Sequence, residues 1–145
     1  MERQKKKIVV LDASVVVKWY VAEEFTNTAL KIRDDYSKGI IDIWSTELLP
    51  FEVLNALRYN SELGRDQIRK AGQSLSKFKL ALHPILDGLL ELSLENATKY
   101  GLTVYDSSYM ALSQAFDKKL YTADEKMLSK ISDKEHVIHL KDYSV

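Results

Sequence analysis

Four carboxylates are the residues of this chain whose types and spacing could do chemistry. Asp12, Asp106 and Asp124 each end a short apolar run, and Glu52 lies on the apolar side of a predicted helix. The carboxyl ends of parallel strands form the ligand-binding edge of an open α/β sheet, so acids placed there can meet although they are far apart in sequence. Carboxylates without a nearby His or Cys are the ligands that Mg²⁺ and Mn²⁺ prefer. The pattern predicts a metal-dependent phosphodiesterase.

The aspartates also have a simpler interpretation, because an aspartate before a helix is usually an N-cap worth about 1 kcal/mol. For Asp106 and Asp124, each taken alone, capping is the favoured interpretation. Asp12 differs, since Ser14 can cap the helix that follows the first strand. The same acid at three predicted strand ends favours a shared site.

Glu52 supplies an independent argument for the site. At 3.6 residues per turn it shares one side of its helix with Leu49 and Ala56, and a carboxylate drawn toward a core is costly unless it is paired or binds a metal. A buried ion pair with Arg58 is the alternative, but Arg58 lies six positions further on and points elsewhere. Asn55 could hydrogen-bond Glu52 or a bound water.

Length and composition predict a single domain over residues 1–145, with residues 1–7 as a flexible basic arm. The 21 basic and 21 acidic side chains cancel, so any nucleic-acid contact must use local patches. There is no cysteine and no apolar stretch of about 18 residues, which predicts a soluble, cytoplasmic protein without membrane contact. The sequence contains no His-x-x-x-His pair, no Gly-rich phosphate loop and no Gly-x-Ser-x-Gly motif, which disfavours a zinc site and these two classes of enzyme.

The elements that must position the acids alternate along the chain. Strands are predicted at 8–11, 40–44, 119–122 and 136–140. Helices are predicted at 14–20, 26–37, 66–79, 87–100, 106–116 and 124–131, with a further long helix opened by Ser45 or Thr46 and reaching 63. Residues 80–85 read as an irregular or short extended link. Strands that alternate with helices of this length predict βαβ units and a small, mainly parallel sheet.

Four segments of the chain resemble, in order, the motifs of PIN-domain proteins, especially VapC-type toxins. They are VLDASVVVKW at 10–19, FEVLNA at 51–56, LTVYDSSYMAL at 102–112 and LYTADEKML at 120–128. Each motif is short, but four in family order with matching flanks span nearly the whole chain.

The resemblance implies a three-layer α/β/α sandwich with its four acids in one pocket. It also implies a Mg²⁺- or Mn²⁺-dependent endoribonuclease that acts on RNA, forms a homodimer and is inhibited by a small cognate antitoxin. The catalytic and metal-binding acids would be Asp12, Glu52, Asp106 and Asp124. Ser14, Asn55 and Thr122 match supporting positions of the family.

Basic and aromatic side chains suggest two contact surfaces. Candidate RNA-backbone contacts are Lys18, Arg58 and Lys126, whereas Arg65 and Arg69 fit ordinary surface solvation better. The segment 19–63 carries more large apolar side chains than one small sheet needs, which predicts a dimer interface. These side chains are Trp19, Tyr20, Phe25, Phe51 and Tyr59.

Two other functions fit parts of the pattern. A phosphoaspartyl hydrolase would use Asp12 as a nucleophile, but such sites usually need a second Asp two residues on, where this chain has Ser14. A catalytically silent PIN-like binding module would keep the fold without the activity. The presence of all four acids argues against the silent module.

Overall fold

A five-stranded parallel sheet organises the chain in the computed structural model, which describes residues 6–60 and 62–145. The strands are β1 (Lys7–Leu11), β2 (Ile41–Thr46), β3 (Ala81–His83), β4 (Lys119–Thr122) and β5 (Val137–His139). They lie in the order β3-β2-β1-β4-β5, and every neighbouring pair is parallel. The predicted small parallel sheet is confirmed.

Seven α-helices are described with this sheet. They are α1 (Ala13–Val16), α2 (Thr26–Ser37), α3 (Leu49–Arg58), α4 (Arg65–Lys77), α5 (Gly88–Tyr100), α6 (Val104–Ala115) and α7 (Glu125–Lys130). A 3₁₀ turn at Val17–Trp19 extends α1, and a second one lies at Leu140–Asp142. No helix of the described ranges is long and apolar enough to cross a bilayer.

The central strand β1 shows why the fold has three layers. Val9, Val10 and Leu11 are each fully buried, and successive side chains of a strand point to opposite faces of the sheet. Both faces must therefore be covered by helices. Helix α2 packs against β2, and α6 packs against β1, β2 and β4. The predicted α/β/α sandwich is confirmed.

The long helix predicted to open at Ser45 or Thr46 is wrong, because both residues continue β2. The Ser45 hydroxyl donates to the backbone carbonyl of Leu11 over 2.7 Å, so this side chain ties β2 to β1 instead of capping a helix. Helix α3 begins at Leu49 with Pro50 in its first turn, where a missing N–H costs nothing. It ends at Arg58, five residues before the predicted end.

The segment predicted as a link at 80–85 contains the edge strand β3. Ala81 pairs in parallel register with Trp44, and His83 pairs with Thr46. Ala81 and Leu82 are exposed on this edge. This strand has only three residues and is followed at once by Pro84, so the segment is too short to show the pattern by which the other strands were predicted.

The apolar run before Asp106 is not a strand. Gly101 ends α5 with a left-handed φ of 68°, and the Thr103 side chain accepts a hydrogen bond from the Asp106 N–H to cap α6. Residues 101–103 thus form a tight link between two helices, and Asp106 lies in the first turn of α6. The prediction that three acids follow three strands is wrong for this one.

The aromatic side chains predicted to form a dimer surface divide into two groups. Trp19 is buried and its indole N–H donates to the Ala29 carbonyl, while Tyr20 and Phe25 pack against the core. Only Phe51 and Tyr59 are largely exposed, at 76% and 83%. The first group therefore supports the fold, and only the second can contribute to an interface.

Most of the predicted basic arm, residues 1–5, lies outside the described residues. Its last residue, Lys7, is the first residue of β1 and its ammonium donates to the Ser144 carbonyl over 2.7 Å. Lys7 is therefore part of the sheet and not of an arm.

Candidate active site

A cleft of about 490 Å³ opens where the carboxyl ends of β1 and β4 meet the N-terminal turns of α3 and α6. All four predicted acids line it, although their sequence positions span most of the chain. The other lining residues are Ala13, Ser14, Val17, Lys18, Val21, Glu23, Ala56, Leu57, Asn60, Tyr109 and Ala123. The convergence expected from the parallel topology is therefore present.

Asp12 lies at the centre of a short hydrogen-bond network. Its carboxylate caps α1 by accepting from the Ser14 backbone N–H at 3.1 Å, and it also accepts from the Ser14 hydroxyl at 2.5 Å. The prediction that Ser14 caps this helix is wrong; Ser14 instead holds the acid. The Ser14 oxygen accepts from the Ala123 N–H at 2.9 Å and lies 3.3 Å from the Thr122 hydroxyl, which ties the ends of β1 and β4 together.

The environment of Asp12 disfavours its charged form. Burial raises the pKa of its carboxyl to about 6, hydrogen bonds from Ser14 and Thr122 oppose that rise, and the nearby charges of Asp124 and Asp106 add to it. Asp12 is only 7% exposed. A cation in the cleft would therefore stabilise the ionised form of Asp12, which the metal-free protein disfavours.

Glu52 is half-buried on α3, and its partner is one that the sequence analysis missed. The Tyr109 hydroxyl, on α6, donates to Glu52 Oε1. Burial raises the pKa of Glu52, the Tyr109 hydrogen bond opposes the rise, and the Asp106 charge adds to it. Asn55 and Arg58 are exposed and make no hydrogen bond or ion pair with Glu52 in the described part of the chain. Tyr109 comes three residues after Asp106, hence on the same helix face, and that spacing was the available signal.

The remaining two acids differ in their local roles. Asp124 caps α7 by accepting from the Met127 N–H at 2.9 Å, as its capping interpretation predicted, and it still lines the cleft. Asp106 caps nothing, because Thr103 occupies that position. Burial raises the pKa of Asp106 and the Asp124 charge raises it further.

The three candidate RNA contacts lie in different surroundings. Lys18 lines the cleft, is 7% exposed and pairs with Glu23 at 3.1 Å. Arg58 and Lys126 are exposed outside the cleft lining. Lys130, which the sequence analysis did not single out, lies close enough to lower the pKa of Asp106.

The donor set of the cleft fits a hard divalent cation, because it offers four carboxylates and the charge of Asp106 helps to raise the pKa values of Asp12 and Glu52. Within 6–60 and 62–145 no three of these acids bring their oxygens within 4.8 Å of one another. Mg²⁺ usually takes one or two direct carboxylates and keeps several waters, so the spacing suits it.

A tighter group of metal-type side chains lies at the opposite edge of the sheet. Asp117, Glu135 and His136 have ligand atoms within 4.8 Å. There the His136 ring lies between two carboxylates, with Nδ1 2.9 Å from Asp133 and Nε2 3.0 Å from Asp117. The site predicted from the sequence and the tightest cluster in the structure are therefore different places.

Comparison with known proteins agrees with this architecture. The sequence is 29% identical over 126 residues to Ribonuclease VapC3 of Pyrobaculum aerophilum, covering 83% of this chain and 92% of that protein. A toxin–antitoxin complex from Klebsiella pneumoniae contains a chain with the same fold, at a TM-score of 0.67 and 14% identity, over 94% of this chain and 99% of that one. VapC20 of Mycobacterium tuberculosis, a toxin that cleaves the sarcin-ricin loop, also has this fold, with a TM-score of 0.65 and 11% sequence identity. That match covers 83% of this chain and 93% of VapC20.

The family profile for the PIN domain matches residues 9–134. This range contains all four motifs and the whole cleft lining. The chain belongs to the PIN-domain family.

Proposed function

We propose that this protein is a Mg²⁺- or Mn²⁺-dependent endoribonuclease and the toxin of a VapC-type toxin–antitoxin pair. The observation that carries the proposal is the meeting of Asp12, Glu52, Asp106 and Asp124 in one cleft, three of them with raised pKa values. The similarity to Ribonuclease VapC3 supports RNA as the substrate. An RNA substrate in turn favours the cytoplasm as the site of action.

The four acids would hold the cation, with some of them acting through water. A divalent ion held there would supply a water of lowered pKa and positive charge to offset the charge that develops on the phosphate. The protein's own contribution is to hold the acids: Ser14 fixes Asp12, and the Met127 N–H fixes Asp124. Without a cation the cleft repels RNA, so metal loading also prepares it for the phosphate backbone.

Positive side chains near the cleft would bind the phosphates on either side of the cleaved bond. Lys18 is the best placed of the three candidates, because it is the one that lines the cleft. Arg58 and Lys126 could contact RNA only beyond the cleft.

The direct test is a cleavage screen over structured RNAs with Mg²⁺, Mn²⁺ or a chelator. The wild-type protein should cut with either cation and not with the chelator, and the Asp12→Asn protein should not cut. Cleavage that survives the chelator would overturn metal dependence. A protein that binds no Mn²⁺ and cuts no RNA would instead be the silent binding module.

We also propose that the chain forms a homodimer through apolar side chains left on its surface. Phe51 of α3 and Tyr59, which follows that helix, are exposed. Leu90 and Leu94 of α5 are exposed as well, and so is Leu86 just before that helix, which gives three leucines at four-residue spacing. Sedimentation at micromolar concentration should give a dimer for the wild type and a monomer for Leu90→Glu, with Glu91→Gln as the neighbouring control. A monomeric wild type would overturn this part of the proposal.

A cognate antitoxin is the second proposed partner. An Arg or Lys of its tail would pair with the cleft acids and exclude the metal, since arginine can bind a carboxylate bidentately. The toxin–antitoxin complex with the same fold supports such a partner. Expression of the chain alone should slow growth, and co-expression with the product of the adjacent small reading frame should relieve it. Failure to co-purify with persistent growth arrest would refute the antitoxin and leave the nuclease standing.

A further inference from the structure

We propose that Tyr109 is a positioning residue that holds Glu52 in the geometry the metal site needs. This inference rests on the proposed function. Tyr109 is 2% exposed on α6, three residues after Asp106, and its hydroxyl donates to Glu52 Oε1 on α3. One buried hydroxyl therefore joins the helix that carries Glu52 to the helix that carries Asp106.

Glu52 needs such a partner more than the aspartates of the cleft do. A glutamate has one more side-chain torsion than an aspartate, so holding it in one place costs more conformational entropy. The hydrogen bond from Tyr109 is the only one that the Glu52 side chain accepts in the described residues. It engages Oε1 and leaves Oε2 for a cation or its water.

Two of the other acids of the cleft are held on the same principle by different groups. Asp12 Oδ1 accepts from the Ser14 hydroxyl, and Asp124 Oδ1 accepts from the Met127 N–H. Those donors come from the same element or the next turn of chain. The donor to Glu52 comes from 57 residues away, so it also fixes the distance between α3 and α6 at the cleft. Groups that orient a metal ligand in this way are typically worth about 10- to 100-fold in metal affinity.

The experiment is a double-mutant cycle on Mn²⁺ binding measured by titration calorimetry. Tyr109→Phe removes the hydroxyl and keeps the buried ring. It should weaken Mn²⁺ binding about 10- to 100-fold in the wild-type background. In the Glu52→Ala background, where there is no carboxylate to hold, the same change should alter affinity less than about twofold. Excess Mn²⁺ should restore RNA cleavage by Tyr109→Phe.

The matched control is Tyr121→Phe, because Tyr121 is equally buried at 2% and its hydroxyl bonds the Ser144 backbone away from the cleft. That variant should bind Mn²⁺ like the wild type. Wild-type affinity in Tyr109→Phe, or an equal loss in the Glu52→Ala background, would overturn the positioning role while the nuclease proposal stands. A wild-type protein that binds no Mn²⁺ would overturn both.

Discussion

Two acidic regions lie at opposite edges of the sheet, the cleft acids at the carboxyl ends of the strands and a cluster around His136 at the amino ends. They differ in whether nearby protein groups stabilise their charges. At the amino ends of β4 and β5, His136 lies between Asp133 and Asp117. Burial alone would raise the pKa of Asp133, but hydrogen bonds from Gln114 and His136 lower it to about 2. Burial alone would lower the pKa of His136, but its hydrogen bonds to Asp133 and Asp117 raise it. The charges of this cluster, called the compensated cluster below, are therefore stabilised by hydrogen bonds and ion pairs within the protein.

At the carboxyl ends the balance is the reverse. Asp12, Glu52 and Asp106 all have raised pKa values, and burial is the largest cause of each. Lys18, the cation in the cleft lining, is paired with Glu23 instead of with one of these acids. The acids of the compensated cluster thus have basic or hydrogen-bonding partners within the protein, whereas the acids of the cleft, where we propose that a cation binds, keep raised pKa values.

The largest expected effect separates the two regions by activity. Asp12→Asn should lower the rate of RNA cleavage by about 100- to 1000-fold, because it removes a charge that acts on the transition state. Asp117→Asn, at the compensated cluster, should leave the rate unchanged. Cleavage rates of the two purified variants at saturating Mn²⁺ measure this, and equal losses would contradict the assignment of function to one region.

Asp12→Asn should lower activity but raise the stability of the metal-free protein. The pKa of Asp12 is about 6 in the fold and about 3.8 in an unfolded chain. The charged form therefore costs stability above pH 6, and that cost disappears below about pH 4. Asp12→Asn should raise the free energy of unfolding at pH 8 by up to about 3 kcal/mol, and by nothing at low pH. Urea unfolding at both pH values checks the sign.

The compensated cluster should show a different pH dependence. The raised pKa of His136 means that its contribution is complete below about pH 6.5 and is lost as the pH rises through the folded value. The lowered pKa of Asp133 makes its own contribution complete above about pH 4, and that contribution is lost as the pH falls toward 2. His136→Gln should therefore cost about 1 kcal/mol at pH 5.5 and less at pH 9. A cost that grows with pH would show that His136 is neutral in the fold.

The smallest expected effect concerns Lys18, the basic side chain that lines the cleft. In the inactive Asp12→Asn background, Lys18→Gln should weaken RNA binding a few-fold and reduce the slope of log affinity against log salt by about 0.7, as for one phosphate contact. Lys118→Gln, beside the compensated cluster, is the control and should change neither. Fluorescence anisotropy over a series of salt concentrations measures both quantities.

The errors of the sequence analysis have identifiable physical causes. Ser45 and Thr46 resemble helix caps, but the Ser45 hydroxyl donates to the Leu11 carbonyl of β1, and the Thr46 hydroxyl accepts from the Leu48 N–H. The Ser45 contact depends on which strand lies alongside β2. The run before Asp106 is apolar because it links two packed helices, and periodicity alone does not separate such a run from a buried strand. The sequence does not show how many side chains the core can hold, so Trp19, Tyr20 and Phe25 were assigned to a dimer surface although they pack in or against the core.

The sequence by itself determined the parallel α/β architecture and the convergence of four acids at one edge. Buried strands alternating with helices leave few other topologies, and Asp12 and Asp124 follow strands at the edge where ligands bind in such folds. Glu52 and Asp106 were added by the apolar helix face and by the resemblance to the family motifs. Only the tertiary structure decided which side chain holds each acid, and above all that Tyr109 is the partner of Glu52. That contact joins residues on two helices that no local pattern relates. Local hydrogen bonds follow from neighbouring residues, whereas the partner of a buried carboxylate is set by how the helices pack.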